Sequence, residues 1–208
     1  KYFSMLIETN KNLNLTAITE EKEVVIKHFL DSVLPYNLFT QNASVVDVGT
    51  GAGFPALPLK IVRTDLEVCM VDSLNKRVNF LQDVIDSLQL EKTTAVHARA
   101  EDFAQKNREK FDVAVARAVA RLDTLVEYLL PLIKVGGIAI IYKSTKLEEE
   151  LQISQKAISV LGGKFEKIEN FTIEEGQLER NILVIKKVSN TPTKYPRPQN
   201  KPKLNPIK

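Results

Sequence analysis

The stretch from Val45 to Pro55 constrains the fold more than any other part of this chain. Val45-Val46-Asp47-Val48 reads as a short β-branched strand that runs directly into Gly49-Thr50-Gly51-Ala52-Gly53-Phe54-Pro55. Alternate glycines belong where backbone takes positive φ or presses against a ligand. Pro55 suits the first position of a helix, and Pro58 still falls among the unpaired donors of the first turn. A strand, a glycine turn and a helix in that order open a parallel α/β sheet, with a ligand crevice at its carboxyl edge.

The rest of the chain keeps to that plan. Strands are expected at Ser44–Val48, Glu67–Val71, Thr94–His97, Phe111–Ala116 and Ile138–Tyr142, with helices between them. The helix after Glu67–Val71 carries Val78, Leu81, Val84, Ile85 and Leu88 at helical spacing. A helix around Leu147, Leu151, Ile158 and Leu161 ends at Gly162-Gly163, a natural C-cap. The last strands, Phe165–Ile173 and Asn181–Val188, are separated only by Glu174–Arg180, too short for a parallel crossover, so they are antiparallel. Residues 1–42 read as a helical extension, with Thr19 as N-cap of a helix from Glu20 to Leu34 that Pro35 ends. The expected fold is a doubly wound, mostly parallel α/β sheet over 43–188 with an antiparallel end, preceded by that extension.

Composition limits what such a domain does. With 44% apolar residues in 208, a single large core is within reach, and no apolar run approaches a bilayer span. The lone Cys69 makes no internal disulfide, and no Cys/His cluster suggests a metal, so a soluble cytoplasmic protein is expected. Charge is uneven. Lys+Arg number 29 against Asp+Glu 26, yet from Lys186 onward there are seven bases and no acid. Five of the nine prolines lie in that tail too. Residues 189–208 therefore read as a basic arm on a mildly acidic body, free to touch phosphate, and its removal is expected to spare a cofactor site.

Two ligands fit the glycine turn. Gly51, Gly53 and Ala56 satisfy the loose dinucleotide spacing, which keeps a nicotinamide oxidoreductase open. Asp72, at the end of the second strand, suits the ribose of either ligand. Asp47 separates them: a carboxylate two residues before the first glycine repels pyrophosphate but balances a cationic amino-acid end, as in S-adenosylmethionine. Ala100-Glu101, after the third strand, is equally an adenine reader or an acidic helix start. Arg117, ending the fourth strand, is expected to face cofactor or substrate. Lys143, at the end of the fifth, is more simply an exposed lysine, and His28, Asp31 and Ser32 a surface polar face. A third possibility is an RNA-binding protein with a degenerate loop, against which the intact glycines and Asp47 argue.

Absent motifs narrow a methyl acceptor. Where enzymes that methylate exocyclic amines carry Asn/Asp-Pro-Pro-aromatic, this chain reads Ala116-Arg117-Ala118-Val119-Ala120. Methylation at pyrimidine C5 usually needs a cysteine nucleophile, and Cys69 is in the wrong place. The N7 atom of guanine needs neither device, only positioning.

These residues, taken in order, resemble the RsmG (GidB) family of bacterial 16S rRNA guanine-N7 methyltransferases. The resemblance runs through Asn14-Leu15-Thr16, His28–Ser32, Asp47–Pro55, Val71–Arg77, Arg99-Ala100-Glu101, Ala116–Val119, Arg180-Asn181-Ile182 and Lys194-Tyr195-Pro196-Arg197. It implies a class I, Rossmann-like methyltransferase fold with a seven-stranded sheet. It also implies S-adenosyl-L-methionine as cofactor, held by Gly49, Phe54, Ala100, Glu101 and Arg117. The target it implies is one guanosine in the decoding-region loop of 16S rRNA, free or in a 30S subunit or assembly intermediate. No general base is then needed, Phe54 and Arg117 position the reaction, and Arg121, Lys143, Lys194 and Arg197 are candidates for RNA contact. A monomer is expected. Relatives usually carry more residues ahead of the position of Lys1, consistent with a chain that lacks an initiator Met. Pro198-Gln199-Asn200-Lys201 departs from the Lys/Arg-Pro-Gly run of relatives.

Overall fold

The computed structural model describes residues 1–143, 147–173 and 178–207. Seven strands form one sheet: β1 Ser44–Val48, β2 Glu67–Asp72, β3 Thr93–His97, β4 Phe111–Arg117, β5 Ile133–Lys143, β6 Gly163–Ile173 and β7 Leu178–Lys187. Their order is β3-β2-β1-β4-β5-β7-β6. The first five pair in parallel, and β7 lies antiparallel between β5 and β6. Part of the expected Glu174–Arg180 connection, residues 174–177, lies outside the described residues. Strand order reverses between β1 and β4, and such a switch point opens a crevice outside the carboxyl ends of the strands. Asp47, paired with Val115 across β1 and β4, is the penultimate residue of β1 at that switch point.

The helices are α1 Tyr2–Leu13, then α2, a continuous helix made of Glu21–Val24, a wider π-turn at Val25–Leu30 and Asp31–Val33. Next come α3 Ala56–Val62, α4 Asn75–Leu88, α5 Ala100–Lys106, α6 Leu122–Leu129, α7 Leu147–Val160 and a short α8 Lys201–Leu204. Alternate residues of the inner strands bury on opposite faces. Val45, Val113, Val115 and Ile140 pack with α1, α3 and α4, while Val46, Val48, Ala114, Ala116 and Ile141 pack with α5, α6 and α7. Both faces of the sheet are therefore covered, as a parallel sheet requires.

Two local expectations shift. Helix α2 is capped by Glu20, whose carboxylate accepts from the Glu23 N–H, rather than by Thr19. Pro55 caps α3 instead of starting it. Cys69 is half-buried in β2, and burial pushes its thiol pKa up, as suits an unreactive thiol. No helix among the described residues is long and apolar enough to cross a membrane.

Candidate functional site

The glycine turn is built by hydrogen bonds from its own strand ends. Gly49 and Thr50 N–H groups both reach the carbonyl of Val71, at 2.8 and 3.2 Å. Asp72, buried, accepts from Gly51 N–H at 3.0 Å through one oxygen and from Leu74 N–H at 2.9 Å through the other. Asp72 thus ties the β1 turn to the β2 turn as well as facing the crevice. Gly53 has φ +101°, and a Cβ on it would stand 2.3 Å from Leu57 Cδ1. Gly53→Ala is therefore expected to cost about 1–3 kcal/mol in a urea unfolding titration. Gly51, whose Cβ would meet nothing within 4 Å, is the milder site for the same change, with only its φ of +63° against it.

A cavity of about 320 Å³ opens above this turn, lined by Gly49, Asp72, Ala100, Glu101, Val119 and Asn200 among others. The structure thus brings together Gly49, Asp72, Ala100 and Glu101 from the ends of β1, β2 and the start of α5. Asp47 lies beneath, fully buried, where its Oδ2 accepts from Thr50 Oγ1 at 2.7 Å and from Ala56 N–H at 3.2 Å. Its Oδ1 is buried and has no hydrogen-bond partner among the described residues. Burial pushes the carboxyl up to about 7, against the pull of Thr50, Ala56 and Arg117. A buried carboxylate oxygen left open within a glycine turn is the acceptor that an ammonium-bearing ligand supplies with a donor.

Phe54 and Arg117 meet on the far side of the turn, with the guanidinium 4.9 Å from the ring centroid. His28 stacks on the same ring at 4.6 Å. Arg117 also binds Asp31 Oδ2 at 2.8 Å, and Arg180 binds Asp31 Oδ1 at 2.6 Å. The expectation of a surface polar face for His28, Asp31 and Ser32 is therefore overturned. Asp31 and Ser32 are buried, and the Ser32 carbonyl accepts from Tyr142 Oη at 2.6 Å. Burial, helped by Arg117, lowers the His28 pKa to about 4, so its ring is neutral at pH 7. Asp31 is the one acid between Val24 and Val33, in a stretch that also holds Lys27, His28 and Ser32, and its partners lie 86 and 149 residues away.

The candidate RNA cations divide. Arg121 is largely exposed, 3.4 Å from Asp123, and Lys194 is exposed beside the Tyr195 ring. Lys143 is not a free cation: it donates to Glu150 at 2.6 Å and to the Ala120 carbonyl at 3.1 Å. Arg197 is committed inside the protein. Its backbone N–H and guanidinium make three hydrogen bonds of 2.7–2.9 Å to Glu127, which is 0% exposed.

That pairing corrects the picture of a free arm. Arg108 donates to the Tyr195 and Thr191 carbonyls, Gln105 to Pro196, and Thr124 to Pro202. Lys187 is buried against the Leu130 carbonyl and Thr191. The arm then crosses the mouth of the cavity, where Asn200 N–H donates to Glu101 Oε1 at 3.2 Å. Asn200 has φ +57°, the left-handed conformation that Gly or Asn accepts most readily. Residues 189–208 are basic in composition, yet several of their polar groups are spent on α5, α6 and the cavity wall.

A family described as GidB, rRNA small subunit methyltransferase G, matches residues 1–183. The Ribosomal RNA small subunit methyltransferase G of Bacillus subtilis (strain 168) is 50% identical over 210 residues, covering 99% of this chain and 88% of its own length. The protein of the same name from Clostridium tetani (strain Massachusetts / E88) is 46% identical over 212 residues, covering 100% and 89%. Among solved structures, M. jannaschii TYW2 in complex with AdoMet superposes with a TM-score of 0.61 at 16% identity, covering 81% of this chain and 77% of that one. Precorrin-6y C5,15-methyltransferase from Geobacter metallireducens GS-15 superposes with a TM-score of 0.57 at 14% identity, covering 82% and 90%. These two superpositions show a shared fold.

Proposed function

Because the chain belongs to the GidB family of rRNA small subunit methyltransferases G, we propose that it transfers a methyl group from S-adenosyl-L-methionine to N7 of one guanosine in the decoding-region loop of 16S rRNA. The observation that carries the cofactor is the unpartnered Oδ1 of Asp47 beneath the glycine turn. Bound there, S-adenosyl-L-methionine supplies a methyl group activated on a sulfonium. Asp47 offers its ammonium a counter-charge, Asp72 holds hydroxyls of the ribose, and Ala100 with Glu101 holds the adenine. Gly49, Gly51 and Gly53 let the backbone approach, and Phe54 with Arg117 closes the side toward the acceptor.

Guanine N7 carries a lone pair and no proton, so the protein has no proton to remove. Its task is orientation, which by itself lowers a barrier by several kcal/mol, roughly 7–11 at the upper end. Arg121 and Lys194, exposed, are the candidates left for phosphate contact, while Lys143 and Arg197 act through the acids they hold. An rRNA substrate, free or within a 30S subunit or assembly intermediate, implies a cytoplasmic protein, and we take it to act as a monomer.

Mass-spectrometric mapping of modified guanosines in 16S rRNA from cells lacking the protein is expected to show one N7-methylguanosine missing. An unchanged map rejects the assignment. Calorimetry is expected to detect S-adenosyl-L-methionine and not NAD(H); the reverse result favours an oxidoreductase.

A further inference from the structure

A second cavity, of about 460 Å³, lies between α2, the ends of β4 and β5, and the start of α7. It meets the cofactor cavity at Ala118, which both share and which turns the chain with φ +56°. Methyl transfer needs donor and acceptor on opposite sides of the moving carbon, so a cavity backing onto the first across one residue is where an acceptor base belongs. Resting on the methyltransferase reading, we infer that this cavity seats the acceptor guanine and that Glu150 is the residue that selects guanine over other purines there.

Guanine offers two donors on its Watson–Crick edge, N1–H and the N2 amine; adenine offers an acceptor at N1 and no N2 amine. Unpaired RNA bases are read on that edge. A single carboxylate oxygen set between the two guanine donors faces a lone pair when adenine takes the same place. Two carboxylates line the cavity. Both oxygens of Asp31 are taken, one by Arg117 and one by Arg180, and its side chain is only 3% exposed. Glu150 is held differently. Leu122 N–H at 2.8 Å and Lys143 Nζ at 2.6 Å both bind Oε2, and Oε1 takes neither bond. The side chain is anchored at one oxygen and, at 27% exposure, open to the cavity.

The same contact serves the reaction. As the N7 lone pair forms the bond to the methyl carbon, the carbon–sulfur bond breaks. The sulfonium becomes a neutral thioether and the base becomes a cation, with no proton moved. The cationic base has a more acidic N1–H, so its hydrogen bond to Glu150 strengthens toward the transition state, the kind of interaction that raises rate. Lys143 pairs with Glu150 and Lys27 with Glu23, while Arg117 and Arg180 share Asp31, so the lining keeps one positive charge in excess, and the ring of His28 adds none at neutral pH.

Glu150→Gln keeps an oxygen for the Leu122 N–H and places an NH2 where Oε1 stood. The test uses 16S rRNA with guanosine or inosine, which lacks the N2 amine, at the target position, both free and assembled into 30S subunits. The wild-type protein is expected to prefer guanosine by about tenfold or more in kcat/KM. In Glu150→Gln the guanosine rate falls at least as far and the preference disappears, while the calorimetric Kd for S-adenosyl-L-methionine stays within twofold. A guanosine preference retained by Glu150→Gln overturns the inference, and so does a loss of cofactor affinity that parallels the loss of rate. No transfer by the wild-type protein to either RNA overturns the methyltransferase reading itself.

Discussion

Replacing Arg197 by alanine is expected to lower the unfolding free energy by about 3–5 kcal/mol, because it strands a buried charge. Glu127 is 0% exposed in the middle of α6, and among the described residues the hydrogen bonds it accepts come from Arg197. Arg197→Lys is expected to recover little, since an ammonium does not reproduce the two-pronged guanidinium contact. Cofactor affinity falls with stability, because the segment after Arg197 delivers Asn200 to Glu101 at the cavity mouth. Urea titration and calorimetry read the two effects. Lys194→Ala, on an exposed side chain of the same arm, leaves both unchanged. If Arg197→Ala weakens RNA binding alone and leaves the urea midpoint in place, the arm is a nucleic-acid contact and not part of the fold. Deleting residues 190–208 is for the same reason expected to impair cofactor binding, the reverse of what composition suggests.

Asp47→Asn is the second large effect, and it reverses sign between stability and binding. Burial holds the carboxyl near 7, whereas in the unfolded chain it titrates near 3.9. The folded state therefore keeps a proton that the unfolded state has lost. The stabilisation from that proton is complete below about pH 4 and is lost as pH rises through about 7, a change of up to roughly 4 kcal/mol. Urea midpoints of the ligand-free protein are expected to fall across that window, and Asp47→Asn flattens the fall. A cationic ligand restores the ionised form, so its binding releases a proton near neutral pH. Calorimetry in two buffers of different ionisation enthalpy detects that release in the wild type and none in Asp47→Asn. The variant binds S-adenosyl-L-methionine about tenfold or more weakly. Unchanged affinity would remove Asp47 from the cofactor site and leave it a strand-end residue.

Much of the architecture is legible from consecutive residues. Strand–helix alternation, the glycine turn and the short link before β7 each state a local demand that only one arrangement meets. Gly53 shows why: its φ and its closeness to Leu57 are both set within five residues of chain. Asp47, Asp72, Ala100 and Glu101 were placed for a related reason. Each follows or ends a strand, and all parallel strands deliver their carboxyl ends to one edge. The N-cap at Glu20 rather than Thr19 marks the precision of such local rules.

Charge partners obey no such rule. Composition made residues 189–208 a cationic arm, and His28, Asp31 and Ser32 a polar face, because a side chain's charge is visible in sequence and its neutralising neighbour is not. Arg117 meets Asp31 across 86 residues, Arg180 meets it across 149, and Arg197 meets Glu127 across 70. A backbone turn is decided by sterics between near neighbours, so it can be read where it stands. Whether an arginine is spent on a buried acid or left for phosphate depends on which surfaces desolvate together, and that is settled only when the sheet, α2, α6 and the arm are packed against one another.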